Sequence, residues 1–308
     1  MVETAPLWSV LLLPPIVGGF ALAAAGADAA LAARAAGRRV RPELTLPLRE
    51  VVRLLVQQRR VTVAADGLLW RLGGAVVFAA GLLAALVIPL GGHSVADLSI
   101  GMVWFNAMEA LVWAGLWMTG WGANSVYGLV GGYRFVAQGL AYELPHMFAL
   151  ITAALAAGSL RVGTIVGHQS DLWFAAWMPV AFVVYLLSAL AMSFWGPFSQ
   201  PLGRELAGGV QAELSGPDRL VLRAGQYLLL AASGAFAVPL FLGGGQGPLL
   251  PAWLWSVLKI AAVLALLVWA RRRLPTVRMD RYEELAWVVL IPLSILQALA
   301  VAIVVLVR

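Results

Sequence analysis

Apolar stretches long enough to cross a bilayer, about 20 residues each, recur along this chain with few charges inside them. They fall at 7–27, 68–90, 99–119, 139–160, 173–195, 219–242, 250–270 and 285–307. Of the 308 residues, 62% are hydrophobic and 12% charged, against roughly 45–50% apolar and about 25% charged in a soluble domain. The pattern predicts an all-α polytopic membrane protein, a single integral membrane domain over 1–308 with about eight transmembrane helices. The start, MVETAPLW, has an acidic residue and no Lys or Arg, so the first apolar segment is expected to be retained and not cleaved as a signal peptide.

The net charge of +6 would suit a nucleic-acid partner, but the placement of the charges argues against one. Arginines cluster in alternate connecting segments: Arg34 to Arg60 after the first span, Arg134 after the third, Arg204, Arg219 and Arg223 after the fifth, and Arg271 to Arg281 after the seventh. The opposite segments hold only Arg161, and Arg308 ends the chain. Lys and Arg favour the cytoplasmic side, so both termini are expected outside a cell inner (plasma) membrane. Residues 43–60 are too charged to span. Leu48, Val51, Val52, Leu55 and Val56 recur there at helical spacing among arginines, which predicts an amphipathic helix on the cytoplasmic interface. Such a helix serves either as a surface anchor or as a lid over a lateral opening for a lipid-soluble substrate.

Polar groups inside so apolar a chain need partners or water, and ionisable ones default to function. Residues 120–145, GWGANSVYGLVGGYRFVAQGLAYELP, concentrate them: Asn124, Ser125, Tyr127, Arg134, Gln138, Tyr142 and Glu143. Glu143 is expected at the cytoplasmic end of the fourth span, with Arg134 as partner if the preceding loop folds back. A second polar group, GPFSQPLGRELAGGVQAELSG, holds Glu205 and Glu213 among prolines and glycines that exclude one continuous helix. Lys259 and Glu109 lie within spans and form a candidate pair. The three histidines, His93, His146 and His168, lack metal-ligand spacing, so no metal site is expected. There is no cysteine, which excludes thiolate-held iron–sulfur clusters and disulfides. Gly243–Gly245 lacks the Lys-Ser/Thr of a phosphate loop.

Residues 120–145 closely resemble the family of complex I (NADH-quinone oxidoreductase) membrane subunits known as H in bacteria and as subunit 1 elsewhere. The pattern GW-x-x-NS-x-Y-x-LxGxxR-x-x-x-Q-x-x-x-YE-x-P is met without a gap by Gly120, Trp121, Asn124, Ser125, Tyr127, Leu129, Gly131, Arg134, Gln138, Tyr142, Glu143 and Pro145. The family's PF-x-x-P and EL-x-x-G-x-x-x-E-x-SG reappear around Pro197, Pro201, Glu205, Glu213 and Ser215, one residue short before Glu205. The W-x-R-x-x-x-P-x-x-R-x-D motif matches Trp269, Arg271, Pro275, Arg278 and Asp280, and Ala65-Asp66 also fits.

The resemblance implies a subunit, inactive alone, that walls the membrane side of a quinone chamber and couples quinone reduction to proton transfer. Quinone would be the substrate, with no covalently bound cofactor. The partners would be cytoplasmic iron–sulfur subunits and antiporter-like membrane subunits. Glu143, Glu205 and Glu213 would couple protons, and Arg134, Asp66, Arg278 and Asp280 would belong to the chamber. Arg134, Glu143, Glu205 and Glu213 are expected around one common hollow, with quinone admitted between the first span and 43–60.

The chain also departs from the family. Met192, Ser193, Phe194 and Trp195 replace a Glu–Thr–Asn–Arg run, Gln226 precedes Tyr227 where the family has Glu, and the RPGPN stretch is reduced to Arg41-Pro42. These losses leave two alternatives: the membrane anchor of a hydrogenase complex, or a redox-uncoupled scaffold or ion-conducting subunit.

Overall fold

The computed structural model describes residues 2–307. Twelve α-helices follow one another: α1 Leu13–Ala35, α2 Leu46–Val56, α3 Gly67–Ala84, α4 Gly101–Gly122, α5 Val126–Ala157, α6 Val162–Gly167, α7 Phe174–Trp177, α8 Pro179–Met192, α9 Gly216–Phe241, α10 Ala252–Arg273, α11 Met279–Leu285 and α12 Ile291–Val307. A short parallel pairing joins β1 (Glu3–Thr4) to β2 (His93–Ser94), Glu3 opposite His93. It ties the N-terminal segment to the loop after α3.

Among the described residues, six helical stretches are long and apolar enough to cross a membrane: Leu7–Ala35, Gly67–Val87, Val126–Ala157, Gly216–Phe241, Ala252–Arg273 and Met279–Val307. The other two expected spans form differently. The third is α4, which has 22 residues but carries Asn106, Glu109 and Thr119. The fifth breaks at Met178, leaving α8 with 14 residues, about 21 Å at 1.5 Å per residue and short of the ~30 Å hydrocarbon core.

The helix α9 is the central post. It packs against α1, α2, α3, α8 and α10, and every residue from Leu228 to Phe241 is buried. A helix apolar on all sides is stable when surrounded, and α9 is. At the other extreme, α12 exposes Leu293, Leu296, Leu299 and Ile303 on one face, a surface suited to lipid or to another subunit.

The expected loop before the fourth span is helical. Only Ala123, Asn124 and Ser125 separate α4 from α5. Asn124 takes a left-handed conformation, φ 43°, which Asn tolerates better than most residues, so the chain reverses in three residues. The resulting α5 has 32 residues, about 48 Å, and Arg134, Gln138, Tyr142 and Glu143 all lie on it. Glu143 is therefore in the middle of a long helix and not at a span's end. Arg134 cannot fold back onto it, because nine residues of helix hold the two about 13 Å apart along the axis.

The expected amphipathic helix over 43–60 is confined to α2, Leu46–Val56. Leu48, Val52 and Leu55 are exposed along one side while Leu54 is buried, the arrangement of a helix lying at an interface. It stops because Gln57 turns extended to reach α9: Gln57 accepts from Gly216 N at 3.4 Å and Arg60 N donates to Ser215 Oγ at 2.7 Å. The segment 196–211 is a run of short 3-10 turns, with positive φ at Ala207, Gly208 and Gly209. It lies tight against α5, where a Cβ on Gly131 would meet Val210 N at 2.5 Å and Pro201 O at 2.7 Å.

The Lys259 ammonium does not reach Glu109. It donates to the carbonyls of Leu242, Gly244 and Gln246 at 2.6, 3.0 and 2.7 Å, with its Nζ 4.1 Å from the centre of the Trp173 ring. Its donors are used up closing the loop after α9. Lys259→Met is expected to destabilise the protein by about 1–3 kcal/mol, the cost of leaving buried acceptors unmet. Thermal unfolding in detergent measures this, and an unchanged midpoint would contradict it.

Candidate functional site

Two polar centres stand out, one on a large cavity and one inside the bundle. The cavity has a volume of about 1180 Å³ and lies between α1, α2, α3, α9, the 196–211 segment and the end of α10. Its lining mixes apolar residues such as Leu22, Val51, Leu54, Phe78 and Leu82 with charged ones such as Asp28, Glu50, Arg223 and Arg271.

Those charges tie the walls together. Asp28, two turns before the end of α1, accepts from Arg271 Nη1 at 3.0 Å and Arg272 Nε at 2.8 Å, while Arg272 Nη2 reaches the Asp28 carbonyl at 2.9 Å. Glu50 on α2 takes both Arg53, at 2.7 and 2.6 Å, and Arg223 of α9 at 2.9 Å. The Arg53 guanidinium beside Glu50 holds its carboxyl below the usual range, and the charges of Arg223 and Arg219 act the same way. The Arg271 guanidinium lies 4.1 Å from the Trp195 ring centre, and Trp195 meets Tyr227 edge-on at 5.2 Å. Trp195 Nε1, Gln211 Nε2 and Arg219 Nε, all on cavity-lining residues, are buried donors without a partner.

The second centre lies between α4 and α5. Glu143 Oε1 accepts from Asn106 Nδ2 at 2.9 Å, and its carboxyl adjoins that of Glu109. Glu109 Oε1 comes within 3.1 Å of His146 Nε2, without the alignment of a hydrogen bond. Glu109 and His146 are almost fully buried. Trp113 Nε1 donates to the Tyr142 hydroxyl at 2.9 Å alongside. Among the described residues, no arginine or lysine pairs with this group.

The four residues expected around one hollow are therefore divided. Arg134 donates to Glu205, which lines the cavity, and Arg134 Nη1 also reaches the Gln200 carbonyl at 3.3 Å. Glu143 belongs to the second centre. Glu213 is off the cavity wall and accepts from Ser125 Oγ at 2.8 Å. They separate because α5 is continuous: Arg134 is carried to the end facing the 196–211 segment while Glu143 stays in the helix interior. Three more expected chamber residues also lie off the cavity wall. Asp66 caps α3, accepting from Leu68 N at 3.0 Å and Leu69 N at 3.1 Å. Arg278 and Asp280 pair with each other at 3.2 Å on an exposed surface.

Sequence reasoning missed Asp28 and Glu50 as wall residues and did not join Glu109 to Glu143 and His146. The i, i+3 spacing of Glu143 and His146 was a legible signal, since such residues share a helix face. Gln226, the family departure, donates to the carbonyls of Ser193 at 3.3 Å and Phe194 at 3.1 Å. It braces the turn where Phe194 adopts φ 41°. Among the described residues, no cluster of His, Asp or Glu is arranged to hold a metal ion.

Comparison with known proteins bears on the whole of this arrangement. The family profile described as NADH dehydrogenase matches residues 9–302. The chain is 36% identical over 267 residues to an H-type subunit of the NADH-quinone oxidoreductase of Geobacter sulfurreducens, covering 83% of this chain and 81% of that one. It is 35% identical to an H-type subunit of the same enzyme from Syntrophobacter fumaroxidans, covering 82% and 80%, and 33% identical to that of Geobacillus kaustophilus, covering 83% and 78%. With the match running through nearly every helix described above, the chain belongs to the NADH dehydrogenase family.

Proposed function

We propose that this chain is the membrane subunit of a proton-translocating NADH-quinone oxidoreductase complex and walls the membrane side of its quinone chamber. The observation that carries the reading is the cavity between α1 and α2. It combines apolar lining residues, suited to an isoprenoid tail, with the guanidinium groups of Arg204, Arg219, Arg223, Arg271 and Arg272. An oxidised quinone headgroup offers only acceptor oxygens, and guanidinium N–H groups are strong donors to them, so the two complement each other. With the arginine-rich ends inward, α2 lies at the cytoplasmic face and both termini lie outside the plasma membrane.

Electrons would come from cytoplasmic iron–sulfur subunits, since the chain has no cysteine. The chain itself binds and orients the quinone and senses its charge. Arg134 and Glu205 latch the 196–211 segment to α5 at the chamber rim, and Glu213 holds the start of α5 through Ser125. Glu143 then takes part in moving protons toward antiporter-like membrane subunits. Arg278 and Asp280, exposed beyond the chamber, suit the surface that a cytoplasmic partner covers, and Asp66 fixes the start of α3. The relatives described above are NADH-quinone oxidoreductase subunits, so a hydrogenase anchor is not favoured. Gln226 and Met192 favour a second reading, a scaffold without redox coupling, because neither side chain exchanges a proton.

Glu143→Gln in the assembled complex, reconstituted in liposomes, distinguishes the two. Coupled proton transfer is expected to be lost and quinone reduction slowed; full retention of both would support the scaffold. Filling the chamber by Ala25→Trp is expected to raise KM for a long-tailed quinone more than for a short-tailed analogue, and an equal effect on the two would count against the chamber.

The latch has a pH dependence with a definite sign. The Arg134 hydrogen bond holds the Glu205 carboxyl below its usual value of 4.5. A depressed carboxyl contributes stability above that usual value and loses it as pH falls through the lower, folded one. Protection of 196–211 against hydrogen exchange, relative to the intrinsic amide rate at each pH, is therefore expected to hold from neutral pH to the ordinary carboxylate range and to fall only below it. In Arg134→Ala the segment should exchange faster even at neutral pH. Identical profiles would remove the latch.

A further inference from the structure

The centre between α4 and α5 contains more proton-binding capacity than Glu143 alone supplies. Glu109 is 1% exposed and His146 0%, and both sit behind Glu143, which is half-buried. With both carboxyls ionised, five atoms of the trio would lack hydrogen-bond partners: both Glu109 oxygens, Glu143 Oε2 and both His146 ring nitrogens. A proton shared between the adjoining Glu109 and Glu143 carboxyls meets part of that need, and unmet polar groups in an apolar bundle are costly. Two adjoining carboxyls with no arginine or lysine beside them also cannot both stay ionised without strong repulsion. At least one proton must reside among the three. The other titratable side chains around them are the phenols of Tyr142 on α5, Tyr185 on α8, whose ring centre is 5.4 Å from that of His146, and Tyr282 on α11. None of these supplies a positive charge.

We propose that Glu109 and His146 form the buried end of a proton store that opens through Glu143. When Glu143 ionises, its proton passes to the Glu109 carboxylate, whose Oε1 lies 3.1 Å from His146 Nε2 and can turn to donate to it. The Glu143 O–H breaks and an O–H on Glu109 forms, with the neutral imidazole as its acceptor, so one of the two carboxyls stays neutral throughout. The return reverses each step, so the store needs no exit and no co-reactant. Asn106, donating to Glu143 Oε1, leaves Oε2 free to carry the exchanged proton. The store rests on the quinone-coupled reading above and adds two residues to it. It also offers this chain a proton-binding site in place of those missing at Met192 and Gln226.

The test uses the whole complex in proteoliposomes, with Glu109→Gln and His146→Gln as near-isosteric variants and Glu109→Asp as the conservative control. Removing a positioned proton-transfer group costs about a hundredfold or more in proton-transfer rate. Each Gln variant is therefore expected to lose coupled proton transfer by about that factor, while quinone reduction in proton-leaky membranes stays close to wild type; Glu109→Asp should recover much of the loss. Wild-type coupling in both Gln variants would overturn the proposal. Infrared difference spectroscopy after a pH jump, on wild type with labelled histidine, covers the case of a variant that fails to assemble. Paired carboxyl and imidazole bands support the store, and an imidazole that never changes defeats it. Because that signal needs no quinone, it judges the store even if the chamber reading fails.

Discussion

A polar group placed inside an apolar helix bundle must find its partner within the bundle, and this constraint shapes the structure from end to end. Lys259 draws a loop around itself by taking three carbonyls. Asp28 joins α1 to the end of α10, and Glu50 joins α2 to α9. Gln226 and Gln138 hold backbone carbonyls near the end of α8. In each case a side chain that would be costly against lipid is used to fix one element against another. Where that pattern breaks down, at Glu109, Glu143 and His146, no arginine or lysine balances the carboxyls, and a proton is expected to reside and move there.

The two centres are held at separate depths by the same helix. Because α5 runs unbroken from Val126 to Ala157, Arg134 is presented to the 196–211 segment and Glu143 to α4. The tight contact at Gly131 brings that segment against α5, and its far side lines the chamber through Leu202, Gly203, Arg204, Glu205 and Gln211. A charge change in the chamber thus bears on a segment that is ion-paired to the helix carrying Glu143. The pair of Glu205 with Arg134 is the link between the two regions.

Much of the fold was legible because its dominant signal, apolar length, is one-dimensional. The long spans, the amphipathic helix α2 and the irregular 196–211 segment follow from hydrophobic runs, helical spacing and Pro/Gly punctuation. The boundaries of α5 were not legible, because a polar, glycine-rich stretch reads as a loop when its partners are unknown. Gly120, Gly128, Gly131 and Gly132 are there to let backbones approach, as small residues do between membrane helices. The candidate site was legible in its members more than in its grouping. Arg134 and Glu205 meet across 71 positions of sequence, and Glu109 meets His146 across a helix hairpin, which no local pattern encodes. Asp28 was overlooked because a single carboxylate at a span's end is an ordinary feature until Arg271 and Arg272 are seen to converge on it.

In the proposed function the cavity bounded by α1, α2 and α9 holds a quinone by its apolar lining residues and its arginines. Photolabelling the intact complex in its native membrane with a long-tailed azidoquinone, followed by peptide mapping, tests this most directly. Label is expected on cavity-lining residues of α1, α2 and α9, displaced by excess unlabelled quinone. Displaceable label confined to other surfaces of the chain, with none on those three helices, would contradict it.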